Sequence, residues 1–381
     1  MILYLLITLL TLGAALFVRR QKGMIRGGTI LNQNLTITRQ RALTAVCLGI
    51  IFTALFLPAA LRLEVGNDYG TYVDTIHEVY VGGYVVTEAG FNWLVKTLCL
   101  LAGGENYLLV FAVFAFLTVW LFLEVLYRQS ENFFLSFYLF MTLGIYFRTY
   151  NTVRYYFVLA LAMYSLRFVL RKEYGKFLIV IGFGALFHKS VLVVIPLYLI
   201  AACPWKKWQA AAMTAGGVLL LAAQDMVMKV ALFLYPSYRN TIYLETEAGF
   251  WGNLFPILRC LLVCVLIWVC GRRTILENPA ARLYAQLNLL ALGLYSFASF
   301  LPLVGRLSYY LITPQILLIP LLLEKTEDKK RRRLLTAAVL LGGMLYFGYF
   351  LMTAHQEGVR VLPYRSWLFY EKDFLNAGEI F

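Results

Sequence analysis

Residues 107–127 read YLLVFAVFAFLTVWLFLEVLY, and Glu124 is the only charged residue among them. A run of that length spans a hydrocarbon core of about 30 Å when helical. Lipid forces it to be helical, because each backbone group then finds its hydrogen-bond partner within its own segment. The apolar residues are continuous rather than striped, so the run is not one face of a soluble amphipathic helix. Met1–Val18, Ala42–Leu61, Leu254–Cys270, Leu283–Val304, Leu307–Leu323 and Leu334–Met352 have the same character. Across 381 residues, 61% are hydrophobic and 14% charged, whereas a soluble domain carries about 25% charged residues. The prediction is an all-α integral membrane protein: one transmembrane domain over residues 1–381, a polytopic bundle of about twelve helices with short re-entrant or interfacial helices. Arg19, Arg20 and Lys22 follow the first run. That is the reverse of a secretory signal, so the run reads as a retained helix whose N-terminus lies outside.

The net charge of +14 raises the question of nucleic acid, and its distribution answers it. With the N-terminus outside, the inside segments are 19–41, 128–131, 167–176, 203–208, 271–282 and 324–333. With Glu124 counted beside them they hold 22 of the 34 basic and 7 of the 20 acidic residues, giving +15 inside and −1 outside. That is the positive-inside pattern, which anionic cytoplasmic headgroups explain without a nucleic-acid partner. Both termini then lie outside. Phe91–Gly103 is too short for a full crossing and reads as re-entrant or interfacial, and Lys176–Cys203 reads as two short helices meeting at His188-Lys189-Ser190. The polar stretches 62–90 and 235–253 read as outer loops, and with the outer tail 354–381 they are expected to cap an active site. Thr87-Glu-Ala-Gly-Phe91 recurs as Thr246-Glu-Ala-Gly-Phe250, where each Glu suits a helix N-terminus. Cys47, Cys99, Cys203, Cys260, Cys264 and Cys270 lie in or beside apolar runs and read as small buried hydrophobes, not a disulfide framework. No P-loop, dinucleotide fingerprint or metal motif is present, and no cofactor is expected.

The inside charges are topology anchors; the outer ones need separate explanations. Arg148 and Arg154 flank a predicted helix start, Arg239 follows Tyr235-Pro-Ser-Tyr238, Arg306 separates two apolar runs, and Arg365 lies in Leu362-Pro-Tyr-Arg-Ser-Trp367. Guanidinium groups at membrane depth are functional candidates and bind phosphate through paired donors; snorkelling to headgroups is the plain alternative. Asp68, with Tyr69 and Tyr72 beside it, is placed to act as a base or to hold sugar hydroxyls, or else to form an ordinary Asx turn. His77 and His355 read as surface residues. His188 interrupts an apolar stretch, where a neutral imidazole suits general-base chemistry or simply satisfies a helix break.

The ordered set Asp68-Tyr-Gly-Thr-Tyr72, Glu88-Ala-Gly-Phe91, Arg154 opening a long helix, and Phe187-His-Lys-Ser190 before a proline-bearing run resembles the EpsG family of Wzy-like bacterial polysaccharide polymerases. The likeness covers roughly residues 60–200 and, more loosely, Tyr235–Arg239, Arg306–Tyr310 and Pro363–Tyr364. It implies a plasma-membrane glycosyltransferase that joins oligosaccharide units carried on undecaprenyl pyrophosphate at the outer face, without nucleotide sugar or metal. The implied partners are that lipid-linked oligosaccharide, the bilayer, and the flippase and chain-length regulator of the same pathway. Arg148, Arg154 and Arg306, assisted by Arg239, are expected to bind pyrophosphate. His188 is the first choice of base, with Asp68 and Glu88 next, and Tyr69, Tyr72 and Tyr238 are expected to contact sugar. Two alternatives stay open: an O-antigen-ligase-like transferase using the same donor, and a non-enzymatic transporter of lipid-linked sugars.

Overall fold

The computed structural model describes residues 1–18, 30–234, 253–270, 272–301, 304–356 and 359–369. Its helices, in chain order, are α1 (Ile2–Ala15), α2 (Ile30–Ala60), α3 (Tyr69–Val81), α4 (Ala89–Leu101), α5 (Tyr107–Gln129), α6 (Phe133–Thr142), α7 (Ile145–Arg148), α8 (Val153–Leu170) and α9 (Tyr174–Ala185). They continue with α10 (Val194–Ala202), α11 (Lys207–Ala222), α12 (Gln224–Leu234), α13 (Leu254–Cys270), α14 (Arg272–Glu277), α15 (Pro279–Phe297), α16 (Val304–Ile312), α17 (Gln315–Glu324) and α18 (Lys329–Thr353). Among the described residues no strand forms; an isolated bridge joins Arg62 to Ser366.

Asparagine opens three of the helices. The side chains of Asn106 and Asn132 accept from Leu109 and Leu135 N–H, and Asn278 accepts from Ala280 and Ala281 N–H. Each thereby satisfies an amide that a helix start leaves without an intrahelical acceptor. Among the described residues, five helical stretches are long and apolar enough to cross a membrane: Arg39–Ala60, α5, α8, Val304–Glu324 and α18. A sixth results if Ala211–Ala222 and Gln224–Val230, bent by 82°, form one broken span. The other apolar helices, α1, α4, α6, α9, Lys189–Ala202 and α13, have 10–17 residues. Within the described residues, about twelve crossings would require the short helices to cross too, alone or in pairs. The 13 residues of α4 reach only about 20 Å. Leu6, Leu9 and Leu10 of α1 and Leu334, Leu341, Leu345 and Met352 of α18 are exposed. Such surfaces belong in lipid, not water.

The chain forms two compact units: Met1–Tyr164 with Phe183–Lys189 and Leu335–Phe381, and Ser165–Gly182 with Ser190–Leu334. In the first, α2 packs on α1 and α5, α4 packs on α3 and α5, and α1 packs on α6. In the second, α15 is central, touching α10, α11, α13, α14, α16 and α17. Ala281, Ala285 and Ala291 are buried on it, and small residues let membrane helices approach closely.

Three local expectations resolve here. The stretch 62–90 is not all loop, since it contains α3. The apolar stretch 176–203 breaks where expected: α9 ends at Ala185, and a 3-10 turn over Lys189–Val193 leads into α10. The six cysteines are free thiols: Cys47, Cys99 and Cys260 are buried, Cys264 and Cys270 are only half-buried, and Cys203 is exposed because it follows the last turn of α10. The tail returns to the α2–α3 connection, where Leu63 N–H donates to Arg365 O at 3.0 Å and Trp367 N–H to Leu61 O at 3.0 Å.

Candidate functional site

An aromatic hub in the first unit gathers the motifs. Phe114 of α5 is fully buried, and its ring meets Phe91 of α4, Phe157 of α8 and Phe187 at centroid distances of 5.7, 5.8 and 6.2 Å. Each partner lies close in sequence to a polar candidate. Glu88 precedes Phe91 by three residues, Arg154 precedes Phe157 by three, and His188 follows Phe187 directly. A three-residue offset is about one helical turn, so holding Phe91 and Phe157 on one ring brings Glu88 and Arg154 within reach of each other.

Glu88 is the N-cap residue of α4, but its side chain makes no capping bond. It instead forms an ion pair with Arg154 Nη1, and its other oxygen accepts from Lys189 N–H at 3.0 Å. The two side chains are only 18% and 16% exposed, so the pair is largely screened from water. The Arg154 guanidinium also lies over the rings of Phe91 (5.0 Å) and Tyr72 (5.7 Å), where the ring faces attract a cation. Tyr72 Oη accepts from Arg154 N–H at 3.3 Å. Burial pushes the Tyr72 phenol up, and it stays neutral. Gly90 fits α4 against the chain break. Its N–H donates to Leu186 O at 2.9 Å, and a Cβ there would lie 2.7 Å from that oxygen.

Asp68 stands one step away. It is the N-cap residue of α3, yet its carboxylate accepts from Thr152 Oγ1 at 2.7 Å instead of capping α3. The Asx turn is therefore not its role. Asn67 N–H donates to Asn151 Oδ1 at 3.0 Å, so the 66–68 turn is tied twice to the segment between Arg148 and Arg154. Gly66 makes this approach feasible: its φ is +102°, and the Tyr150 carbonyl fills the space a Cβ would need. His188 is half-buried, its ring edge-on to Tyr155 at 5.8 Å. The Arg148 guanidinium lies over Phe350 at 5.7 Å. The first unit thus carries Asp68, Glu88, His188, Arg148 and Arg154.

Tyr69 and Tyr72, expected to contact sugar, are both 6% exposed. Tyr69 stacks on Phe111 at 4.8 Å, and burial raises its pKa. Arg306 opens α16 in the second unit, where Tyr310 Oη and Ser190 Oγ lie 3.0 Å apart. Arg239, Tyr238 and the second Thr-Glu-Ala-Gly-Phe copy lie outside the described residues. Among the described residues no three metal-ligating side chains are grouped.

Two arginines were not singled out from the sequence. Arg62, 2% exposed, donates to Ala59 O at the C-terminal end of α2 and lies over Phe111 (4.6 Å) and Tyr150 (5.6 Å). A cation there complements the helix dipole, while burial pushes its pKa down. Arg259 interrupts the apolar sequence of α13. In both cases a charge within or just past an apolar run was the available signal.

The family model described as EpsG family matches residues 45–366. The chain belongs to the EpsG family. EpsG proteins are a Wzy-like polymerase family, and membership makes this chain a polysaccharide-biosynthesis membrane protein with a glycosyltransferase-like role. The matched span includes the whole Asp68–Arg154–His188 cluster. No curated protein and no solved structure matches the chain.

Proposed function

We propose that the protein polymerises oligosaccharide repeat units carried on undecaprenyl pyrophosphate, working at the outer face of the plasma membrane. One observation carries this reading. Within an EpsG-family chain, Glu88 pairs with Arg154 and accepts from the Lys189 N–H next to His188, and Asp68 is tied to Thr152 two residues before Arg154, so four separate stretches meet around one partly screened ion pair. The charge asymmetry of the loops supports placing that cluster outside.

In the proposed reaction, a hydroxyl oxygen of the incoming lipid-linked unit attacks the anomeric carbon of the growing glycan. The new glycosidic C–O bond forms as the bond to the pyrophosphate oxygen breaks. The carrier leaves with that electron pair, and a base takes the hydroxyl proton. Arg154 and Arg148 stabilise the departing pyrophosphate, which needs preorganised positive charge. His188 or Asp68 takes the proton. Glu88 is engaged on both carboxylate oxygens and is assigned to orient Arg154 instead of serving as base. Tyr72 fixes the start of α8 from below that guanidinium. Arg306 is a separate phosphate-binding candidate in the second unit.

The test is reconstitution of the purified protein with a lipid-linked repeat unit, followed by sizing of the glycan. A ladder of multiples supports polymerisation. A single transfer to a different acceptor would indicate a ligase, and movement of intact substrate across the bilayer without a new bond would indicate a transporter.

A further inference from the structure

We propose that Arg259 is the charged centre of a second anion site, within the second unit, that takes the phosphate group of a membrane lipid. The site stands on contacts separate from the cluster described above and does not depend on the polymerase reading.

Arg259 lies five residues into α13, roughly 8 Å along its axis. No other residue of Leu254–Cys270 is ionised at neutral pH. Its Nε donates to Gln315 Oε1 at 2.6 Å, Gln315 Nε2 donates to Asn288 Oδ1 at 2.6 Å, and Asn288 Nδ2 donates to Cys260 O at 3.1 Å. Gln315 and Asn288 are 1% and 0% exposed. The direction of this relay is fixed. A guanidinium only donates, so Gln315 must turn its oxygen to Arg259 and its NH2 to Asn288, whose own NH2 then reaches a backbone carbonyl. Two buried amides, on α17 and α15, are committed to holding one edge of one guanidinium.

That edge is all the described residues hold. Arg259 Nη2 is buried without a hydrogen-bond partner among the described residues, and none of their ion pairs involves Arg259. The sequences of α13 and α15 contain no Asp or Glu, and the acid of α17 is Glu324, at its far end, about 13 Å from Gln315. A full charge in an apolar helix, held among the described residues by neutral amides, is costly unless an anion completes it. If the network merely bonded helices together, a neutral donor at position 259 would serve Gln315 as well. The anions available inside a bilayer are lipid phosphates, and the free guanidinium edge has the paired-donor geometry that phosphate oxygens accept.

The test uses full-length protein in dodecyl maltoside micelles, which carry no phosphate, titrated separately with a polyprenyl monophosphate and with phosphatidylglycerol. Native mass spectrometry counts bound lipid, and thermal unfolding is followed in parallel. Wild type should retain a phosphate-bearing lipid that Arg154→Ala also retains. Arg259→Gln should weaken that retention about ten-fold or more. Arg259→Lys, which keeps the charge and loses the fork, should fall between them. Preference for the polyprenyl phosphate would identify a carrier site, and equal binding a headgroup site; both support phosphate recognition. Retention by Arg259→Gln equal to wild type would overturn the proposal. If that variant does not fold, wild-type affinity in Arg259→Lys would overturn it, as would wild type binding neither probe above a phosphate-free diacylglycerol.

Discussion

Arg154 in the first unit and Arg259 in the second are both arginines in strongly apolar surroundings, and they are held in opposite ways. Arg154 has a carboxylate partner in Glu88 and aromatic faces around it. Arg259 is held by neutral amides, with no acid against it among the described residues. The difference concerns what each offers an anion. A guanidinium paired with a carboxylate has spent part of its field, so an incoming pyrophosphate must compete with Glu88 or share the arginine through its other donors. A guanidinium held by amides keeps its whole charge. The first arrangement suits a group that must bind an anion and release it on every cycle; the second suits one that keeps an anion bound.

The strongest way to break this comparison is Arg154→Ala. Removing a preorganised donor from developing negative charge typically costs about 10²–10³ in rate, so chain extension in the reconstituted assay should be lost while the protein still inserts and folds. Glycan of normal length from that variant would remove Arg154 from the site.

Phe114→Ala attacks the same site from behind without touching a charge. Truncating a buried Phe costs about 3–5 kcal/mol, and here the ring joins Phe91, Phe157 and Phe187. Thermal unfolding should show a clear loss of stability, with activity falling together with it. Unchanged stability would mean that the hub does not hold the motifs in place.

Glu88→Gln is milder and sharper. If Glu88 acts only by orienting Arg154, the substitution should lower extension about ten-fold in the wild-type background and add almost nothing to Arg154→Ala. A full additional loss in the double variant would return Glu88 to the list of bases. That pairing shows where the sequence stops being readable. The apolar runs announce their helices because lipid leaves no other backbone solution, and the break at His188-Lys189-Ser190 follows from the cost of burying those side chains. The helix α3 was hidden, since a short half-polar segment has no signal above that of a loop. The bond between Glu88 and Arg154 joins residues 66 apart; it exists because four phenylalanines pack, and nothing in either motif names the other. Arg62 and Arg259 were obscured for another reason. The apolar residues around them define a span, and the spanning reading absorbs the charge that should have interrupted it.

The smallest effect is expected where a carboxylate-paired cation of the first unit lies open to water. His77 Nδ1 is 3.0 Å from Glu105 Oε2, and the imidazole is exposed. The hydrogen bond and charge of Glu105 raise the His77 pKa above 6.5. The charged pair is therefore present below that ordinary value and is lost as pH rises through the raised one. Solvent screens such a pair, so histidine NMR should report a titration midpoint above 6.5 that returns to the ordinary range in Glu105→Gln. Unfolding temperature and glycan length should barely move across the same pH window in that variant. If they moved as far as in Glu88→Gln, burial would not be what separates a working ion pair from an idle one, and the contrast between Arg154 and the other cations would have to rest on position alone.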